Sequence, residues 1–270
     1  MDQIKQAVEL ARAAAIAPVQ RTMASSTAGV PHTSRPDAQI GDVRLDTDHL
    51  EANRIVGYAT SGQPGRYYDM LRTQVLQEMD KNGWQFLAVT SPTAECGKTV
   101  TACNLAMSIA RLPERSVVLI DLDLRKPAVA KYLGLKENRG VLSVLEGQSS
   151  LSSATLRARV GPNSLLVLPG SVPCSNSSEW MASQTMATLL EAVKRDFRSS
   201  LVIFDLPPML LGDDVISFLP RIDATLLVAG VGTTSVSDLK ECQKHLQRTP
   251  VVRVVLNKVT ETTESYYSYY

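Results

Sequence analysis

Gly97, Lys98 and Thr99 stand between a short apolar run, Phe86–Val89, and a stretch of small residues that begins at Val100. In that setting these three residue types form the working end of a phosphate-binding loop. Backbone N–H groups at a helix start cradle phosphate oxygens, a lysine ammonium reaches the terminal phosphates, and a threonine hydroxyl ligates Mg²⁺. The expectation is that Cys96, Gly97, Lys98, Thr99 and Val100 hold the phosphates of a nucleotide. The strict two-glycine spacing is not met. Pro92 occupies the first glycine position, and Gly97 is the sole glycine of Ser91–Thr99. A strand-to-helix turn that merely contains Gly-Lys-Thr is the plainer alternative.

Two more apolar runs end in carboxylates. Val118-Leu119-Ile120 leads into Asp121-Leu122-Asp123, and Leu201–Phe204 leads into Asp205, followed by Leu206-Pro207-Pro208. A strand-terminal aspartate beside a phosphate-binding loop holds Mg²⁺ directly or through water. Alone, each is more often a helix cap or turn former; in one consistent sheet context they point to nucleotide chemistry. Cys96 precedes Gly97 at a helix start beside Lys98, a setting that lowers a thiol pKa. It reads either as a redox-sensitive switch or as an inert small residue. The last chemical feature is at the end of the chain. Four of the eight tyrosines are Tyr266, Tyr267, Tyr269 and Tyr270, after a polar approach from Glu261 to Glu264. Phenols at a terminus have no core to fill, so modification of their hydroxyls is the stronger reading.

The elements that must position these groups follow from hydrophobic patterning. Phe86–Val89, Val117–Ile120, Leu165–Leu168, Leu201–Phe204, Thr225–Val228 and Val251–Leu256 are short, nearly continuous apolar runs. Segments of helical length and pattern, 98–111, 183–196 and 235–247, lie between them. Such alternation predicts an α/β fold, a parallel sheet sandwiched by helices, in the manner of a P-loop NTPase. Ligands of these sheets bind beyond the carboxyl ends of the strands. A helix is expected over 65–81, with Met70, Leu71, Val75 and Met79 on one side. Ser178-Glu179-Trp180 reads as a helix start or as part of a nucleotide-side or interface loop.

The N-terminal region is different. Ile4, Val8 and Ala11 share one face of a short helix that Pro18 ends, either a cap on the main domain or a docking helix on a tether. Residues 18–47 lack apolar periodicity and read as a flexible linker. The chain therefore divides into an N-terminal extension (1–49), a P-loop domain (50–258) and a tyrosine-rich tail (259–270).

Composition sets the outer limits. At 270 residues, 44% hydrophobic, 20% charged and with a formal net charge of +1, the chain suits a soluble globular protein and not a general nucleic-acid binder. Its four cysteines have no metal-site spacing. No apolar run reaches about 18 residues, as a spanning helix needs, and Met1-Asp2-Gln3 lacks a signal-peptide layout. A cytoplasmic protein, held at a membrane only through a partner, is expected.

The order of a P-loop, then Ile120-Asp121-Leu122-Asp123-Leu124-Arg125-Lys126-Pro127, then Val202-Ile203-Phe204-Asp205-Leu206-Pro207-Pro208, then a terminal tyrosine cluster resembles the bacterial tyrosine kinases. It is similar above all to their free-standing CpsD/CapB-type branch, over roughly residues 65–270. The resemblance implies an ATP- and Mg²⁺-dependent protein-tyrosine autokinase acting in exopolysaccharide or capsule synthesis. It implies Lys98 on the β/γ phosphates, Thr99 and Asp205 on the metal, and Asp121 at the Mg²⁺ and the transferred phosphate. Asp123 would accept or orient the tyrosine proton, and Asn257 would face the adenine. Tyr266, Tyr267, Tyr269 and Tyr270 would be the phosphoacceptors, in cis or in trans. The implied partners are a membrane-bound chain-length regulator that activates the kinase, a tyrosine phosphatase and further copies of the chain. The family's oligomerisation helix carries Glu-x-x-Arg-x-x-Arg; here Arg66–Arg72 matches only at Arg72. Two alternatives remain at this point: a Min/Par-type partitioning ATPase, whose early Lys-Gly-Gly is absent at Thr93-Ala94, and an ATP-binding scaffold without catalysis.

Overall fold

A computed structural model describes residues 40–59, 63–136, 138–170 and 172–259. The N-terminal helix expected around Ile4–Ala11 and the tyrosine cluster lie outside them. Within them, six strands fall on the six apolar runs: β2 (Phe86–Thr90), β3 (Ser116–Asp121), β5 (Asn163–Leu168), β6 (Ser200–Asp205), β7 (Ala224–Gly230) and β8 (Val251–Asn257). Two further strands, β1 (Gly41–Arg44) and β4 (Leu156–Val160), complete a sheet ordered β1-β4-β5-β3-β6-β2-β7-β8.

Alternation along each central strand divides its side chains between two cores. Leu87, Val89, Leu119, Ile203, Leu226 and Val228 face one side; Phe86, Ala88, Val118, Ile120, Phe204 and Leu227 face the other. Because both faces are buried, the strands read as unbroken apolar runs. The first core is closed by α1 (Thr47–Ala52), α2 (Gln63–Asn82), α3 (Lys98–Ala110) and α4 (Val129–Leu133). The second is closed by α5 (Val141–Leu145), α6 (Leu151–Ala154), α7 (Ser177–Ala182), α8 (Gln184–Asp196), α9 (Asp214–Phe218) and α10 (Val236–His245). Phe204 anchors the second core, with Phe86 and Phe218 edge-on at centroid distances of 5.3 and 5.4 Å, a favoured aromatic geometry.

Three expectations need correction. Residues 41–47 are not linker: β1 pairs with β4, and the Asp46 carboxylate caps α1 by accepting from the Asp48 N–H. The sheet is not wholly parallel, since β4 runs antiparallel to β5 while β1 is parallel to β4. On α2, Val75 and Met79 are buried but Met70 is 61% exposed, so the apolar stripe is narrower than its pattern suggested. Arg72 turns inward, donating to Asp69 Oδ1 at 3.1 Å and to the Ser108 carbonyl at 2.9 Å. Arg111 joins it on Asp69 at 2.8 Å, so this charged group ties α2 to α3 within one chain. No helix among the described residues is long and apolar enough to cross a membrane.

Candidate active site

The loop between β2 and α3 is shaped by its neighbours as much as by its own sequence. Glu95 and Gly97 both have positive φ, 60° and 87°, a conformation that favours glycine. At Glu95 a side chain accepts it, at a cost of order 1–3 kcal/mol. The segment after β6 braces the loop: Met209 N–H donates to the Ser91 carbonyl at 2.8 Å and Leu210 N–H to that of Pro92 at 3.1 Å. Pro92 therefore acts as an acceptor in the place of the expected first glycine. From the other side, the Asn257 amide donates to the Cys96 carbonyl at 2.9 Å.

Register sets the carboxylates. Asp121 and Asp205 are directly paired at the ends of β3 and β6, and both are completely buried. The Thr99 hydroxyl donates to Asp205 Oδ2 at 2.6 Å. Lys98 Nζ donates to Asp123 Oδ2 at 2.7 Å and lies 3.7 Å from Asp205 Oδ1. Lys98, Thr99, Asp123 and Asp205 thus form one contiguous cluster. Asp121 is beside it, but its oxygens accept the N–H groups of Ala128 (2.9 Å), Val129 (3.0 Å) and Asp123 (3.2 Å). It anchors the turn that carries Asp123. Gly170 permits this approach, because a Cβ there would lie 2.3 Å from Pro127 Cβ and 3.2 Å from the Asp121 carboxyl.

Electrostatics follow from burial. Desolvation, then the adjacent Asp205 charge, pushes Asp121 up to about 7. Asp205 is also raised, chiefly by burial, with Lys98 and the Thr99 hydrogen bond opposing the shift. Burial favours a neutral Lys98, yet Asp205 and Asp123 outweigh it and hold its pKa above the ordinary value. The site is a buried cation among carboxylates.

Among the described residues Asp205 Oδ1 is buried and has no hydrogen-bond partner, with the Lys98 ammonium 3.7 Å away. A buried carboxylate oxygen without a hydrogen bond, beside a threonine hydroxyl, is a donor set that suits a hard cation such as Mg²⁺. Among the described residues, no group of three or more His, Cys, Asp or Glu side chains could cage a metal by itself. Mg²⁺ is usually held by one or two carboxylates together with substrate phosphates.

Val100 lies in the first turn of α3 with its side chain against the first core. Cys96 is wholly buried, its sulfur 3.3 Å from Thr234 Oγ1, and hydrogen bonds from Thr234, Thr93 and Thr233 lower its pKa against the effect of burial. Sequence reasoning missed Gly230, Thr234, Gly170 and the Met209–Leu210 brace. Only the small-residue run after β7, Gly230-Val231-Gly232-Thr233-Thr234, carried a signal of close approach.

The family model for the CobQ/CobB/MinD/ParA nucleotide binding domain matches residues 87–270, which takes in every element of this cluster. The chain belongs to that family. EpsB of Ralstonia nicotianae, provisionally assigned as a tyrosine-protein kinase, is 31% identical over 235 residues, covering 84% of this chain and 31% of EpsB. The tyrosine-protein kinase CpsD of Streptococcus pneumoniae serotype 4 is 29% identical over 203 residues, covering 74% of this chain and 86% of CpsD. Among solved structures, the kinase domain of the Escherichia coli tyrosine kinase ETK superposes with a TM-score of 0.70 at 25% identity. That match covers 80% of this chain and 84% of the ETK domain. These relatives bear out the resemblance to bacterial tyrosine kinases. The chain spans about a third or less of the two Ralstonia EpsB proteins, 31% and 26%.

Proposed function

We propose that the chain is an ATP- and Mg²⁺-dependent protein-tyrosine autokinase that phosphorylates its own terminal cluster, Tyr266, Tyr267, Tyr269 and Tyr270. It would act in exopolysaccharide or capsule synthesis, at the inner face of a membrane, with a separate membrane-bound chain-length regulator as activator. A tyrosine phosphatase would reverse the modification. The observation that carries the reading is the buried cluster of Lys98, Thr99, Asp123 and Asp205 at the mouth of a phosphate-binding loop. The kinase names of the relatives support it.

The residues divide the work. N–H groups of the loop and the Lys98 ammonium would hold the β/γ phosphates. Thr99 and Asp205 would hold Mg²⁺, with Asp121 behind them, and the ion would supply charge neutralisation on the phosphate oxygens. The tyrosine oxygen attacks the γ phosphorus, the bond to the β–γ bridging oxygen breaks, ADP departs, and the phenol proton passes to Asp123. Asp123 Oδ2 now accepts from Lys98. Movement of Lys98 to the phosphates frees that oxygen, so arrival of nucleotide and release of the base are one event.

Asp123→Asn tests this division. It should retain ATP binding, measured by titration, and lose about 100-fold or more in phosphotyrosine formation, the usual scale of a general base. A variant that phosphorylates at the wild-type rate would show that Asp123 is not the base.

A further inference from the structure

A loop that binds anions through its N–H groups must point its carbonyls away from the anion. Glycine-rich loops do this by backbone freedom, but this loop has one glycine between Ser91 and Thr99. Here the ends of β7 and β8 take over the task. The Asn257 Nδ2 donates to the Cys96 carbonyl at 2.9 Å. It also lies over Gly97, where an added Cβ would come within 2.1 Å of it. Asn257 is fixed in turn by strand register: it pairs with Gly230, and its carbonyl accepts the Val231 N–H at 2.9 Å. Gly230 brings β7 against the same loop. A Cβ there would meet Thr233 Oγ1 at 2.2 Å and Cys96 Cα at 3.3 Å. Thr234 Oγ1 accepts from Gly230 N at 3.0 Å and lies 3.3 Å from the Cys96 sulfur.

We propose that Asn257 is a positioning residue for the phosphate-binding loop, holding the Cys96 carbonyl outward so that the neighbouring N–H groups face the nucleotide phosphates. This rests on the nucleotide-binding reading of the site and is separate from any contact with the base. A base contact is felt only by ligands that carry a base. A loop contact is felt by any polyphosphate, because losing it lowers the share of molecules with a competent loop and weakens apparent affinity by that share.

The test is calorimetric titration of the full chain, Asn257→Ala and Asn257→Asp with Mg-ATP and with base-free Mg-tripolyphosphate. Loss of one hydrogen bond predicts a three- to tenfold weakening, as an order of magnitude, equal for the two ligands in Asn257→Ala. Asn257→Asp keeps the side chain's size but turns an acceptor toward the Cys96 carbonyl, so it should weaken both ligands at least as much. Titration stoichiometry counts folded sites and separates misfolding from a change in affinity. Unchanged tripolyphosphate binding alongside weakened ATP binding would overturn the proposal and leave Asn257 as a base contact. Unchanged binding of both ligands would overturn it as well. A wild-type chain that bound neither ligand would overturn the nucleotide-binding reading itself, and this proposal with it.

Discussion

Asp121 and Asp205 are forced together by strand register, and one buried lysine serves both carboxylates and Asp123. The consequence is a dependence of stability on pH with a defined sign. Asp121 has an ordinary pKa of 3.8 in the unfolded chain and about 7 in the fold. A raised carboxyl binds its proton more tightly when folded, so its stabilising contribution is complete below about pH 4 and is lost as pH rises toward 7. Asp205 is shifted in the same direction. Urea unfolding without nucleotide should therefore show wild type losing stability relative to Asp121→Asn between pH 4 and 7. The carboxamide does not titrate. A difference that is flat across that range would mean that the Asp121 carboxyl is not perturbed by its neighbours.

At the scale of elements, a polar group centred on Asp69 ties α2 to the phosphate-loop helix α3. Asp69 Oδ1 accepts from Arg72, Ser108 and Arg111 at 3.1, 2.6 and 2.8 Å. Both arginine side chains are about 15% exposed, so removal of the carboxylate leaves two confined cations without their anion. Asp69→Ala should cost about 1–3 kcal/mol in denaturant unfolding, and the pair Asp69→Ala, Arg72→Ala less than the sum of its parts. Additive losses would show that the group does not act as a unit.

The strands were legible to the degree that burial left a mark on them. β2, β3, β6 and β7 are covered on both faces and read as unbroken apolar runs. β4, with Arg157 and Arg159 alternating among Leu156, Ala158 and Val160, carries a weaker pattern, and the short polar edge strand β1 carries almost none. Lys98, Thr99 and Asp205 were legible because each sits at a strand end or helix start that the pattern itself marks, and Asp123 because it follows the end of β3 by two residues. The contact of Asn257 with Cys96 joins residues 161 positions apart, and no local pattern encodes it.

The whole molecule places the root of the tail beside the chemistry. β8 ends at Asn257, which touches the phosphate-binding loop, and the chain continues from there toward Tyr266. The eight residues between them span, with both ends, at most roughly 30 Å when extended, so covalent reach allows the tyrosines to meet their own site or that of another copy. Each phosphate would add a charge of about −1.5 to −2, and a fully modified cluster would be repelled by a site lined with Asp121, Asp123 and Asp205. The cluster would then be both acceptor and switch.

Site-resolved mass spectrometry tests the central claim most directly. Wild type and Lys98→Met are incubated with Mg-ATP, with and without the cytoplasmic segment of the proposed membrane-bound activator. Phosphate on Tyr266, Tyr267, Tyr269 or Tyr270 of the wild-type chain, absent from Lys98→Met, is the predicted result. A wild-type chain that binds ATP yet leaves all four tyrosines unmodified in the presence of that segment would contradict it.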